Sequence, residues 1–247
     1  MLFSVDRAEL SLLIVRINRY LASAGLGSRR SCEEIVREGK VRLNGPVVED
    51  LATRVETGDR VTVSGRSVTP ENKLVLALYK PAGYICSRTD LENRKTIFDL
   101  LPQSGPRLFY VGRLDKDSEG LLIVTNDGEL CQELCHPKHK ISKTYEVGLK
   151  PRFDSVHIPK LLKGFQIESG FARMEDVFPL NDFLLKVVLS QGLKRQIRYM
   201  FGKLGYRVNH LKRTHIGGLG LEKLKKAEFR KLTQRDLKRI THGERSL

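Results

Sequence analysis

From Ile17 the apolar positions fall at helical spacing: Ile17, Tyr20, Leu21 and Ala24 line one side of a short helix that Gly25 stops. Behind Ser28, a residue suited to cap a helix start, Cys32, Ile35 and Val36 repeat the spacing until Gly39 ends it. The period then shortens. Val41 to Leu43 reads as a strand, Asn44-Gly45 as a tight turn, Val47-Val48 as its return, and Gly58-Asp59 as a turn into Val61-Thr62-Val63. The pattern predicts a compact α+β module of about fifty residues. Met1 to Leu13 carries no interpretable pattern and is set apart as an N-terminal extension.

Ser64 to Lys73, with Pro70 and few apolar residues, reads as connecting chain. With residues 67–73 as the linker proper, the chain divides into an extension at 1–13, a first domain at 14–66 and a second at 74–247. In the second domain Leu74 to Tyr79 is an apolar run of strand length, turned sharply by Lys80-Pro81-Ala82-Gly83. Leu108 to Val111 and Leu121 to Val124 are two further runs of this kind. Asn126-Asp127-Gly128 opens a helix with Leu130, Cys131 and Leu134 facing inward, and Pro137 stops it. Lys143-Thr144-Tyr145 begins a strand in which Tyr145, Val147 and Leu149 share a face, and Phe183 to Leu189 is another strand. After Ser190-Gln191-Gly192, a helix with Ile197, Met200, Phe201 and Leu204 on its core stripe leaves Arg195 and Arg198 together on a different face.

Charge changes this picture most. The 247 residues carry a formal charge of +15, and residues 194–247 hold sixteen Lys and Arg against four Asp and Glu. Such an excess favours a polyanion, either nucleic acid or an acidic membrane surface. No apolar run approaches the roughly 18 residues of a membrane span, and Leu10 to Val15 is too short for a leader. Four scattered cysteines do not make a disulfide framework, so a soluble protein of the reducing cytoplasm is expected. In the first module Arg16, Arg19, Arg29, Arg30, Arg37, Lys40 and Arg42 face only Glu33, Glu34 and Glu38. Arg29-Arg30 in the first turn of a helix opposes the macrodipole, and phosphate contact would explain it.

Charge is packed most tightly in Gly112-Arg113-Leu114-Asp115-Lys116-Asp117-Ser118-Glu119-Gly120, between two buried-strand patterns. A polar loop pinned at both ends can hold a reactive carboxylate still, although a solvated turn would read the same way. Asp115, Asp117, Glu119 and Gly120 fit the opening of a calcium loop, but its twelfth position is Asn126 and its flanks are not helical. Cys131, Cys135, His136 and His139 suggest zinc, yet no second cysteine pair stands at ribbon spacing. Arg195 and Arg198 at a helix start again call for a nearby anion, either a carboxylate such as Asp115 or a phosphate.

The chain resembles the bacterial ribosomal pseudouridine synthases that carry an N-terminal S-four RNA-binding domain, from Arg16 to about Ile240. The markers are Gly112-Arg113-Leu114-Asp115 with the following Asp-Ser-Glu-Gly-Leu-Leu, Lys80-Pro81-x-Gly83, Lys143-x-Tyr145, Gln196-Ile197-Arg198 before Met200, and Gly-Ser-Arg-Arg at Gly27 to Arg30. The family usually has Glu-Gly and a basic residue where Gln191-Gly192-Leu193 stands, and commonly Arg at Tyr199; the first departure is closer to the large-subunit branch. The resemblance implies an α+β protein, with a small S-four-like domain followed by a larger catalytic domain built on a mixed, mainly antiparallel β-sheet. It implies isomerisation of uridine to pseudouridine in ribosomal RNA, 23S favoured over 16S, with no cofactor or metal. Asp115 would be the nucleophile, Arg198 its counter-ion within about 4 Å, and Tyr145 the aromatic partner of the uracil. Arg113, Arg195 and Ile197 would bind substrate, and Lys80 would be structural or peripheral. Arg16, Arg19, Arg29, Arg30, Lys40 and Arg42 would bind RNA. The expected partner is ribosomal RNA or an assembling subunit, met by a monomer with no membrane attachment. Two rival readings are a non-catalytic assembly protein and a metal-dependent nuclease using Asp115, Asp117 and Glu119 together.

Overall fold

A computed structural model describes residues 14–88, 90 and 92–242, so the expected extension at 1–13 lies outside the described residues. The chain forms two compact units that divide between Lys73 and Leu74.

In the first unit, β1 (Val15–Arg16) leads into α1 (Ile17–Ser23), and α2 (Arg29–Arg37) follows. Ser28 caps α2 as its sequence suggests, its hydroxyl accepting from the Ser31 N–H at 3.1 Å. β2 (Val41–Leu43) turns through Asn44 and Gly45, both at positive φ, and pairs with β4 (Val61–Val63). β3 (Arg54–Val55) pairs with β1. Ile17, Leu21, Cys32, Val36, Val41 and Val61 make the core of this unit. The expected linker begins too early. β5 (Arg66–Ser67) pairs with β4, Val68 packs on the same core, and the Glu71 N–H donates to the Ser23 carbonyl at 2.8 Å. Few apolar residues are needed here, because main-chain hydrogen bonds hold this stretch to the unit.

The second unit is built on one nine-stranded sheet. In chain order its elements are β6 (Val75–Lys80), β7 (Phe109–Val111), β8 (Glu119–Thr125), α3 (Gly128–Cys135), β9 (Lys143–Lys150), α4 (Ile158–Lys163), the hairpin β10 (Phe165–Ile167) and β11 (Gly170–Ala172), and β12 (Asp176–Asn181). They continue as β13 (Leu184–Leu189), α5 (Gln196–Gly202), β14 (Arg207–Ile216), β15 (Leu219–Gly220), β16 (Phe229–Lys231) and α6 (Gln234–His242). The sheet runs in the order β12-β13-β9-β14-β8-β6-β16, with β15 beside β14 and β7 beside β8, and is mixed and mainly antiparallel, with β14 and β8 as its parallel pair.

β8 is the strand that positions the site. Its seven residues are all buried, and Leu121, Leu122 and Ile123 are each worth roughly 1.5–3 kcal/mol of burial. One edge of β8 is paired along its length with β6, from Val75↔Thr125 to Lys80↔Gly120. The other edge is shared, with β14 pairing at Glu119–Gly120 and β7 at Ile123–Thr125. The chain between β7 and β8, residues 112–118, therefore leaves the sheet where two neighbouring strands part. Across that gap the Arg213 guanidinium donates from Nε to the Leu121 carbonyl at 2.7 Å, satisfying a buried acceptor that no strand reaches.

Candidate active site

Gly120 fixes how closely the strands approach at the gap. Its φ is +118°, and a Cβ there would lie 2.2 Å from the Arg213 carbonyl oxygen, so no larger residue fits without moving β14.

The loop above it is held through its own carbonyls. The Lys80 ammonium, fully buried at the end of β6, donates to the Pro81, Asp115 and Ser118 carbonyls at 3.0, 3.1 and 2.6 Å, and to that of Lys116 at 3.5 Å. The Lys116 carbonyl also accepts from the Gly83 N–H at 2.8 Å, the Asp115 carbonyl from the Ser118 N–H at 3.1 Å, and the Asp117 carbonyl from Arg198 Nη2 at 3.3 Å. All four carbonyls from 115 to 118 thus have donors, which fixes the backbone that carries the Asp115 side chain. Lys80, expected to be structural or peripheral, is the donor that these loop carbonyls share. Burial pushes its ammonium down to about 8, while Cys86, Asp115 and Asp117 pull it up and Arg213 lowers it.

The counter-ion differs from expectation. The Asp115 carboxylate forms its ion pair with Arg195 at 3.8 Å, both side chains being about one-third exposed. Arg198 instead donates to two backbone carbonyls, Val208 through Nη1 at 2.9 Å and Asp117 through Nη2. Burial lowers the Arg198 guanidinium, as does Arg195 beside it, while Asp117 and Asp115 oppose this. Arg198 therefore ties α5 to the loop and to β14, close enough to Asp115 for their charges to interact.

The reason lies in the backbone at the start of α5. Arg195 adopts a left-handed conformation with φ 51°, so its side chain does not continue the helical surface on which Arg198 sits. Gln196 pins this turn: buried, it donates from Nε2 to the Arg173 carbonyl at 2.9 Å and to Gln191 Oε1 at 3.0 Å. Ile197, expected to bind substrate, is only 4% exposed and belongs to the core with Met200 and Phe201. Its apolar side chain seats the helix.

Tyr145 lies on β9 opposite Val187 and Arg213 and is half-buried where two apolar clusters meet. Arg113 is exposed at the mouth of the loop. The other carboxylates do not join Asp115. Glu119 is buried, accepts from the Tyr79 hydroxyl at 3.3 Å and pairs with Lys226 at 2.8 Å, whereas Asp117 is exposed. Among the described residues no group of three or more His, Cys, Asp and Glu is placed to hold a metal, whether at 115–119 or at Cys131, Cys135, His136 and His139. Cys135 has other neighbours: a hydrogen bond with the Cys131 thiol, the Gly112 N–H and the Lys143 and Arg213 cations draw its thiol down to about 6 against the opposing effect of burial.

In the first unit Arg16, Arg29 and Arg30 are exposed, and Arg19 is half-buried. Lys40 is paired with Glu38 at 2.5 Å and Arg42 donates to the Gly45 carbonyl at 2.9 Å, so these two have partners within the protein. Among the described residues Arg29 and Arg30 have no ion-pair partner. Two functional features have no counterpart in the sequence pattern, Arg213 and the loop-holding role of Lys80. Neither has a local signal beyond the Lys80-Pro81 turn.

Comparison with known proteins identifies the family of the chain. A family model described as RNA pseudouridylate synthase matches residues 74–203, more than half of the chain, and an S4 domain model matches residues 15–61. The chain is 36% identical over 235 residues to an uncharacterized RNA pseudouridine synthase of Aquifex aeolicus, covering 93% of this chain and 94% of that one. It is also 36% identical over 231 residues to ribosomal large subunit pseudouridine synthase B of Bacillus subtilis, covering 91% and 95%. A solved structure titled as a pseudouridylate synthase superposes with a TM-score of 0.66 at 26% identity, over 92% of this chain and 99% of that one. With a catalytic domain and an S4 domain both matched, and relatives aligned almost end to end, the chain belongs to the RNA pseudouridine synthase family.

Proposed function

We propose that this protein converts one uridine of large-subunit ribosomal RNA to pseudouridine, with Asp115 as the nucleophile and no cofactor. The observation that carries the reading is the Asp115 carboxylate itself. It is partly exposed, 3.8 Å from Arg195, on a backbone whose carbonyls from 115 to 118 all have donors. The naming of the Bacillus subtilis relative supports the large subunit as the source of the substrate.

A uridine inside a stack is out of reach, so the nucleotide must first leave it, at a cost of a few kcal/mol that interactions with the RNA backbone offset. Arg113, which is exposed, holds the extruded nucleotide. Asp115 then adds to the ribose or to the base as the N1–C1′ bond breaks, the uracil turns, C5 bonds to C1′ as the bond to Asp115 breaks and frees the carboxylate, and the C5 proton is lost as N1 gains one. The product is an isomer, so there is no net gain or loss of atoms or electrons. Tyr145 packs on the uracil and takes part in proton transfer at C5. Arg195 pairs with the carboxylate and Arg198 keeps its loop in place. The S4 domain docks RNA through Arg29 and Arg30.

Mapping pseudouridines in ribosomal RNA from cells with and without this protein tests the reading. One large-subunit site should disappear without the protein and return when it is restored. An unchanged map, or cleaved RNA, would overturn it.

A further inference from the structure

A single exposed aromatic is ordinary on a protein surface, but Phe171 on β11 is placed unusually. It is 54% exposed, and Arg173, just past the end of the strand, is exposed as well while Ala172 between them is buried. Both converge over Gly164, whose φ is +80°; a Cβ there would lie 2.7 Å from Arg173 Cβ and 3.0 Å from the Phe171 ring. The absence of a side chain at 164 therefore allows the ring and the arginine to sit together. Among the described residues the Arg173 guanidinium has only a weak exposed pairing with Glu175 at 3.4 Å, and Glu175 also accepts from Ser190 Oγ at 2.6 Å.

This hairpin is also tethered to the candidate active site. The Gln191 side chain accepts from the Arg173 N–H at 3.0 Å and donates to the Phe171 carbonyl at 3.2 Å. Gln196 donates to the Arg173 carbonyl at 2.9 Å, and Ser169 Oγ donates to the Lys194 carbonyl at 3.2 Å. The anchor points are the turn that presents Arg195 to Asp115. Lys163, Arg173 and Lys194 stand here against Glu168 and Glu175, and Arg195 against Asp115, leaving a small positive excess. An exposed ring beside a cation, fixed near the reacting group, is the arrangement that takes a base on the ring and a phosphate on the cation.

We propose that Phe171 is a stacking platform for an unpaired RNA base flanking the target uridine, with Arg173 taking the adjoining phosphate. The inference rests on the synthase reading for the identity of the RNA. It makes the β10–β11 hairpin a specificity-determining part of the protein.

The test is affinity for an rRNA fragment containing the modified site, at fixed salt, alongside single-turnover pseudouridine formation at saturating RNA. Phe171→Ala should weaken binding by about tenfold, and Phe171→Leu by nearly as much because it keeps apolar area without a ring face. Phe171→Tyr should bind like the wild type. Saturated turnover should be unchanged in all three. In a series of fragments each lacking one flanking base, one position should weaken the wild type and leave Phe171→Ala unaffected. Wild-type affinity in Phe171→Ala, with pseudouridine still formed, would overturn this inference alone. No pseudouridine from the wild type would overturn the synthase reading, while the affinity difference would still decide the role of Phe171 in RNA binding.

Discussion

Cations serve opposite purposes in the two units. Arg29 and Arg30 of the S4 domain stand exposed in the first turn of α2, with no ion-pair partner among the described residues, where the helix dipole opposes them. In the catalytic domain Lys80 and Arg213 are buried, and both donate N–H groups to main-chain carbonyls. The first kind is available to a phosphate. The second shapes protein, and its removal should be felt as misplacement of the Asp115 loop before any change in RNA affinity.

The largest departure from that contrast would come from Lys80. Lys80→Met should lower turnover on the order of 10²-fold, the cost of a reactive group displaced by about an ångström, while RNA affinity stays within a few-fold. A variant with weaker binding and normal saturated turnover would place Lys80 in the first class. The pH dependence sharpens this. Because the folded value of Lys80 is about 8, below the ordinary 10.5 of an unfolded lysine, the folded protein loses this proton first as pH rises. Stability on this account does not fall between those values, yet one donor to the loop is lost. Activity should therefore decline above about pH 8 without a parallel fall in melting temperature; a coincident fall in both would contradict it.

Arg198→Ala should have a smaller effect, roughly tenfold on turnover, because the Asp117 carbonyl loses a donor while three carbonyls of the loop keep theirs. Its RNA affinity should hold. The smallest effect on chemistry belongs to Arg29→Ala with Arg30→Ala. Saturated turnover should be unchanged, while affinity falls and the salt dependence flattens by about 0.7 log units for each single-strand phosphate that these arginines neutralise in the wild type. An unchanged slope would remove them from the RNA interface.

How much of this is legible in the sequence follows from distance along the chain. The two helices of the S4 domain, the Asn44-Gly45 turn and the strands flanking residues 112–118 are set by neighbours within a few positions, and they stand where the apolar pattern puts them. The extent of the connecting segment differs from the pattern because Val68 and Glu71 are held by interactions that composition does not show. The helical surface that groups Arg195 with Arg198 assumes regular backbone, and a single left-handed residue separates them. Arg213 is invisible in the sequence because its function exists only once β14 lies beside β8, with Arg213 opposite Gly120. Lys80 likewise gains its carbonyl partners only when β6 and the loop after β7 are brought together.

The central claim is that one carboxylate on this rigid loop does the chemistry, and Asp115→Asn tests it most directly. The amide keeps the size of the side chain and leaves the Lys80 hydrogen bonds untouched, since these go to main-chain carbonyls. Pseudouridine yield on ribosomal RNA, measured at equal bound fraction, should fall to background in Asp115→Asn while Asp117→Asn retains most activity. Chelator should change neither result. A fully active Asp115→Asn protein, or equal losses in both variants that chelator reproduces, would contradict the account.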